Sequence, residues 1–372
     1  MKNTVFILSL LFVTQAYATK ARVIALANSP QFVDEQYIFT NINQINSLGA
    51  FVSLETGLST VSATTTNTLS NAEGMVGVKL NDDDTVVVSV GHQDEAVIGS
   101  RALASQLGNN FMRQQNPLYV LWGHKGELNS YGVALFYSNY RDKVSGEAES
   151  SSGVNLGLTM GAWRYYAIYT AVNSAETAAN VKFEGAGYLS ANVDYSGDSN
   201  QFYLRFVRSV EKSSTSGIEN SSNLIQVVRL GLTDSTFKDS STYFWGSELV
   251  LTSVDCRVFG SVICNKKYTS SVLPVWFGIE AQATTWFVVR GTIKQTVFLN
   301  QSKDDVGYPA AAFQGTNGAV SETSAGTGTT VVSMGAGLML RNIIIDGLLT
   351  GSTTQNLNAN DLLSQLSLKY SF

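Results

Sequence analysis

The chain has 372 residues, with 24 Lys and Arg against 29 Asp and Glu for a net charge of −5, two cysteines, two histidines, four prolines and 32 glycines. The acidic balance and the lack of a basic cluster argue against a nucleic-acid partner, and two histidines leave little for hydrolytic or zinc chemistry. Aromatic, β-branched and glycine-rich composition with few prolines favours strands and turns over helices.

In chain order, Lys2 is followed by the apolar run Val5–Val13 and then by Ala16-Tyr17-Ala18, a small-x-small cleavage site. A membrane helix needs roughly 20 apolar residues, and this run has nine, so residues 1–18 read as a secretory signal peptide and Thr19 as the start of the mature chain. Residues 19–48 precede the first strand and are expected to be a periplasmic segment or a plug of the lumen. No later apolar stretch is long enough for a membrane helix.

From Gly49 the sequence becomes a succession of alternating segments of about ten residues, the length of a tilted transmembrane strand. They are 50–60, 73–80, 85–92, 117–125, 129–140, 152–161, 163–173, 182–194, 200–212, 224–235, 243–253, 272–281, 284–299, 329–340, 342–350 and 361–372. Short polar turns follow the even segments, whereas long loops, including 93–116, 254–271 and 300–328, follow odd ones. That rhythm predicts an all-β protein, a transmembrane antiparallel β-barrel over 49–372 with short periplasmic turns and long extracellular loops. The weak alternation of 182–194 and 342–350 leaves 14 strands open beside 16. Trp122, Trp163, Trp245 and Trp286 fall near short-turn ends, as an aromatic girdle would, while Trp276 sits further along its strand.

Sidedness holds within the segments. Val76, Val78 and Leu80 oppose Gly77 and Lys79, and Phe202, Leu204 and Phe206 oppose Tyr203 and Arg205. A lipid-facing Arg or Lys at the bilayer midplane costs about 2–4 kcal/mol, so mid-strand charges are expected in the lumen. These are Glu55, Lys79, Glu184, Arg205, Arg229, Glu248, Arg290, Lys294 and Asp346. They are the candidate pore lining, with cross-strand pairing as the structural alternative for Glu184, Arg205, Arg229 and Glu248.

The final strand places Leu366, Leu368, Tyr370 and Phe372 on one face and ends on the aromatic. Together with the export signal and the strand rhythm, it resembles Gram-negative outer-membrane barrels of the porin type. That resemblance implies lipid and lipopolysaccharide as surroundings and the terminal aromatic strand as a signal to the barrel assembly machinery, with a homotrimer left open. A fainter likeness lies at 34–43, where Asp34, Phe39 and Asn41 are similar to the segment before the first strand of the long-chain fatty-acid transporter family. Ile42-Asn43 stands where that family has Pro-Ala.

No catalytic constellation emerges. His92 and His124 fall at opposite ends of neighbouring strands, separated by roughly 25 Å of membrane, so no enzyme activity, cofactor or metal is expected. Asp82-Asp83-Asp84 lacks the calcium-loop spacing and reads as a polar turn. Asp304-Asp305 reads as a solvated turn. Gly335-Ala336-Gly337 lacks the context of a phosphate loop and reads as strand glycine facing a neighbour or plug. Residues 97–107 have helical spacing, either folded into the lumen or lying over its mouth. Cys256 and Cys264 are expected to form a disulfide. The function expected is a water-filled porin for small polar solutes and ions, since barrels of 16–18 strands leave an aqueous bore. The alternatives are a transporter of hydrophobic compounds with an N-terminal plug and a non-conducting surface barrel.

Overall fold

The computed structural model of the chain describes residues 19–32, 34–57, 71–94, 97, 101, 111–185, 187–259, 262–304, 330–352 and 365–372. Its strands in chain order are β1 (Phe51–Gly57), β2 (Asn71–Lys79), β3 (Asp84–Val90), β4 (Leu118–Lys125), β5 (Asn129–Arg141), β6 (Ala148–Met160), β7 (Trp163–Glu176), β8 (Val181–Glu184) and β9 (Tyr188–Ser196). They continue as β10 (Asn200–Thr215), β11 (Ile218–Lys238), β12 (Ser241–Phe259), β13 (Val262–Thr284), β14 (Phe287–Asp304), β15 (Thr330–Leu340), β16 (Ile343–Ser352) and β17 (Gln365–Ser371).

Each strand except the pair β8 and β9 pairs antiparallel with its sequence neighbour. β17 then pairs with β1, from Phe51 opposite Ser371 to Gly57 opposite Gln365, which closes the sheet. The Phe372 amide donates to Ala50 O across the same seam. β8 and β9 both pair with β7 and with β10, so they are two halves of one pass interrupted around Gly185 and Gly187. The barrel therefore has 16 strands, not 14, and the weakly alternating segments 182–194 and 342–350 both belong to it.

Period-2 alternation sets which face meets what. Outward side chains such as Val76, Val120, Leu135, Phe202, Leu204, Leu230, Phe277, Ile293, Leu366 and Leu368 are exposed, while their strand neighbours are buried. A closed sheet has no unpaired edge and can sit in hydrocarbon, and an outward apolar band of this size has no stable place in water. The protein is thus an integral outer-membrane barrel. No described helix is long and apolar enough to cross a membrane. At the short-turn end Trp163 packs against Tyr195 at 5.0 Å, Trp122 against Tyr131 at 5.5 Å, and Tyr370 against Phe372 at 6.1 Å. This is the girdle the tryptophans predicted. Trp276 is the exception because it points inward and is buried.

Two expected loops are strand instead. Residues 213–223 continue as β10–β11 about a turn at 216–217, and residues 254–259 and 262–271 extend β12 and β13. At ~3.3 Å per residue and a tilt near 40°, the 23 residues of β13 rise roughly 58 Å, over twice the ~25 Å apolar band. Outside lipid the ladder needs no apolar outer face, so polar alternation continues it. The turn between β10 and β11 has Ser216 and Gly217 both at positive φ, 51° and 81°, as a two-residue hairpin with the sheet's twist requires. Residues 305–328 and 361–364, within other expected loops and strands, lie outside the described residues.

Inside the barrel lies the N-terminal segment. Thr19 caps a short helix, α1 (Lys20–Ala25), and 3-10 turns follow at Tyr37–Phe39 and Ile42–Ser47. Most of its side chains are buried, and Ile38, Phe39, Ile42, Ile45 and Leu48 join Phe51, Tyr119, Leu121, Ala134 and Phe136 of the wall in one apolar cluster.

Candidate functional site: the lumen and its N-terminal segment

The seat of the segment is built from three glycines. Gly123, Gly132 and Gly157 are direct cross-strand partners on β4, β5 and β6. A Cβ on Gly132 would lie 2.8 Å from the Ile42 side chain and 2.9 Å from its carbonyl, and Gly123 and Gly157 face Ile45 and Ile42 as closely. The missing side chains form a groove that holds the turn Ile42–Ser47 against bare sheet. Asn43 and Asn46 then reach the wall, their amides donating to Tyr165 O at 3.1 Å and His124 O at 3.1 Å. Asn155 of β6 donates back to Phe39 O at 2.8 Å.

On the other side α1 is held by charge. Arg22 donates Nε and Nη2 to Glu280 of β13 at 2.6 and 2.8 Å. Arg290 of β14 bridges Glu280 at 2.6 Å and Asp346 of β16 at 2.5 Å, and Asp346 accepts from the Thr19 hydroxyl at 2.8 Å. Lys20 pairs with Glu73 of β2, which also holds His92 Nδ1 at 3.1 Å, and Lys369 of β17 pairs with Glu35 at 3.1 Å. Gly335 faces the Ala25 methyl and Gly337 faces Arg290 and Asp346, so both glycines meet a plug or a neighbour as expected. Trp276 donates to Ser29 Oγ at 3.1 Å, which accounts for its inward position.

Burial moves the acids of this segment. Burial, with Glu35 alongside, pushes the Asp34 carboxyl well above the usual range. Burial also raises Glu35, although the Lys369 ammonium pulls the other way. Burial pushes the Tyr37 phenol up to about 12.

The expected pore lining is thus divided. Glu55, Arg290 and Asp346 face inward but are buried beneath the segment. Arg205, Arg229 and Glu248 face inward on β10, β11 and β12, with Arg205 directly opposite Arg229 and Arg229 3.6 Å from Glu248. Arg205 lies 4.6 Å from the Tyr203 ring centre, and its Nε and Nη2 are buried without a hydrogen-bond partner. Lys294 is inward, 5.9 Å from the Trp276 ring. Lys79 shares the inward parity of Glu73, Met75 and Gly77 but is exposed at the turn end. Glu184 is a correction. It lies on the exposed outer face opposite Lys212, because the break between β8 and β9 shifts the alternation, and Phe183 points inward in its place.

A second inward patch was not anticipated. Ile225, Val227, Val250, Val254 and Cys256, with Val207, Tyr268 and Val272, form an apolar cluster on β10–β13 beyond the arginines. Val207, Ile225, Val227, Val250 and Val272 lie in expected strands, whereas Val254, Cys256 and Tyr268 fall in the supposed loop 254–271. The Cys264 side chain, and with it the expected bridge, lies outside the described residues.

The long connection after β3 is anchored inward where it is described. Arg101 donates to Asn173 Oδ1 at 2.9 Å and to Glu149 at 3.2 Å, while Val97 joins the apolar cluster around Phe39. The histidines are far apart in role. His92 stacks on Phe39 at 3.5 Å between centroids, and His124 pairs with Asp84 at 3.0 Å beside the polar turn that Asn81 organises.

No protein family and no curated protein matches the sequence. Among solved structures the chain is similar to the CymD monoaromatic hydrocarbon channel, at 8% identity and TM-score 0.40 over 91% of this chain and 93% of that one. It is also similar to a Pseudomonas aeruginosa FadL homologue, at 10% identity and TM-score 0.42 over 91% and 94%, and to the outer membrane channel DcaP of Acinetobacter baumannii, at 12% and 0.41 over 87% and 96%. Likeness at this level carries no argument about cargo.

Proposed function

We propose that the protein is a plugged outer-membrane channel for an apolar or amphipathic compound, with residues 19–48 as the plug that must shift for passage. The observation that carries this reading is the pinning of the segment from both sides, by a glycine groove on β4–β6 and by buried ion pairs on β2, β13 and β17. A pore for free diffusion has no use for a segment so held. The inward apolar cluster on β10–β13 supports an apolar cargo, because a purely aqueous bore gains nothing from Val227 or Val254 in its wall. The charged wall of Arg205, Arg229 and Glu248 favours the second reading, passive diffusion of small polar solutes and ions.

Planar-bilayer recording separates the two. The full chain is expected to stay silent or flicker, and a chain lacking 19–48 to open in ohmic steps. Stable ohmic openings of the full chain would favour diffusion and remove the plug from the mechanism.

A further inference from the structure

Thr19 is fully buried. Its hydroxyl donates to Asp346 Oδ2 at 2.8 Å, and the N–H of Lys20 donates to Glu55 Oε1 at 2.9 Å. Glu55 on β1 and Asp346 on β16 are both cross-strand partners of Ser367 on β17, which lies between them. The start of the segment therefore bridges an inward row, Glu55–Ser367–Asp346. Two acceptors of that row, Glu55 Oε2 and Ser367 Oγ, are buried and have no hydrogen-bond partner.

Charge is unbalanced in the same place. Among the described residues the carboxylates of Asp34, Glu35, Glu55, Glu73, Glu280 and Asp346 gather around the segment. They meet the cations of Lys20, Arg22, Arg290 and Lys369. An orphaned buried carboxyl oxygen and an orphaned hydroxyl in one row call for hydrogen-bond donors.

We propose that the row Glu55–Ser367–Asp346 is a socket for the α-ammonium group of Thr19, so that the segment seats fully only after residues 1–18 have been removed. Hydrolysis of the Ala18–Thr19 bond by an envelope peptidase adds one water. Ala18 leaves with the carboxylate, and Thr19 keeps the amine, which takes up a proton. One neutral N–H donor becomes a cation with three, beside a row in which two acceptors lack partners. Export and plugging are then coupled: a chain that keeps its leader cannot complete the network. The inference rests on reading 1–18 as a cleaved leader and 19–48 as a plug.

The test uses the full-length precursor expressed in a Gram-negative host and purified, folded, from its outer membrane. The mass of its N-terminal peptide reports where the chain begins. Acetylation at pH 7 by an amine-selective reagent, resolved by peptide, reports whether that amine is free. A start at Thr19 is expected, with labelling slower in the folded than in the urea-unfolded protein by about tenfold, the effect of a single unit of pKa. Glu55→Gln should restore labelling, and a refolded chain carrying Gly-Gly ahead of Thr19 should lose protease protection of 19–48. A different start, or equal labelling folded and unfolded, overturns the socket, and so does undiminished protection of the extended chain. A conducting channel with a protected Thr19 amine would instead sink the proposed function and leave the socket standing.

Discussion

The two sides of the lumen are built differently. The wall of β1–β6 and β13–β17 meets the N-terminal segment with glycines, buried ion pairs and aromatic stacking. The wall of β10–β12 carries Arg205 opposite Arg229, two guanidinium nitrogens of Arg205 without partners, and an apolar cluster beyond them. Directly opposed like charges are unfavourable, so this wall is not arranged for its own stability. The contrast teaches that one side seats the segment through charge and close backbone approach, while the other meets it at Phe244 and otherwise turns like charges and apolar side chains to the lumen.

That contrast can be broken from the holding side first. Arg290→Ala should have the largest effect, because it strands Asp346 and loosens Glu280 in a fully buried network. Removing one partner of a buried pair costs about 3–5 kcal/mol, seen as a lower urea midpoint for protease access to 19–48. Gly132→Val should come next. Its methyls collide with Ile42, and overpacking costs about 1–3 kcal/mol, with a barrel that remains heat-modifiable while the turn Ile42–Ser47 becomes labile.

Changing pH should sharpen the comparison by a smaller step. Asp34 and Glu35 have raised values in the seated segment. The seated form therefore holds more protons than the released one. Its stability is fully present below the ordinary carboxylate pKa of about 4 and is lost as pH rises through the raised values. Protease nicking of 19–48 should increase from acid to neutral pH, and Asp34→Asn should flatten that profile. A flat profile in the unaltered protein would mean that Arg22 at Asp34 and Lys369 at Glu35 offset burial. The smallest effect on stability is expected from Arg229→Gln on the β10–β12 wall, where the pair with Glu248 is looser, at 3.6 Å, than the 2.6 Å contact of Arg22 with Glu280. Its readout is a shifted reversal potential in a salt gradient once the segment is deleted, and an unchanged potential would show that this wall does not steer ions.

Alternation alone determined the order of the passes, the lipid face of most of them, and the closing strand with Leu366, Leu368, Tyr370 and Phe372 outward, while leaving 14 strands open beside 16. The reason is that a period of two is local and lipid penalises every error in it. Alternation could not determine where it fails. The break between β8 and β9 moved Glu184 outward, and the ladder of β10–β13 ran on where lipid no longer constrained it. Nor could it show that Gly123, Gly132 and Gly157 share one groove, or that Arg22, Glu280, Arg290 and Asp346 share one network, since these lie up to 324 positions apart and meet only when the barrel closes around residues 19–48. Period and composition act along the chain, so the passes and the faces were readable from it. The seat of residues 19–48 exists only because closure brings the two ends of the sheet, and the segment before them, into one interior.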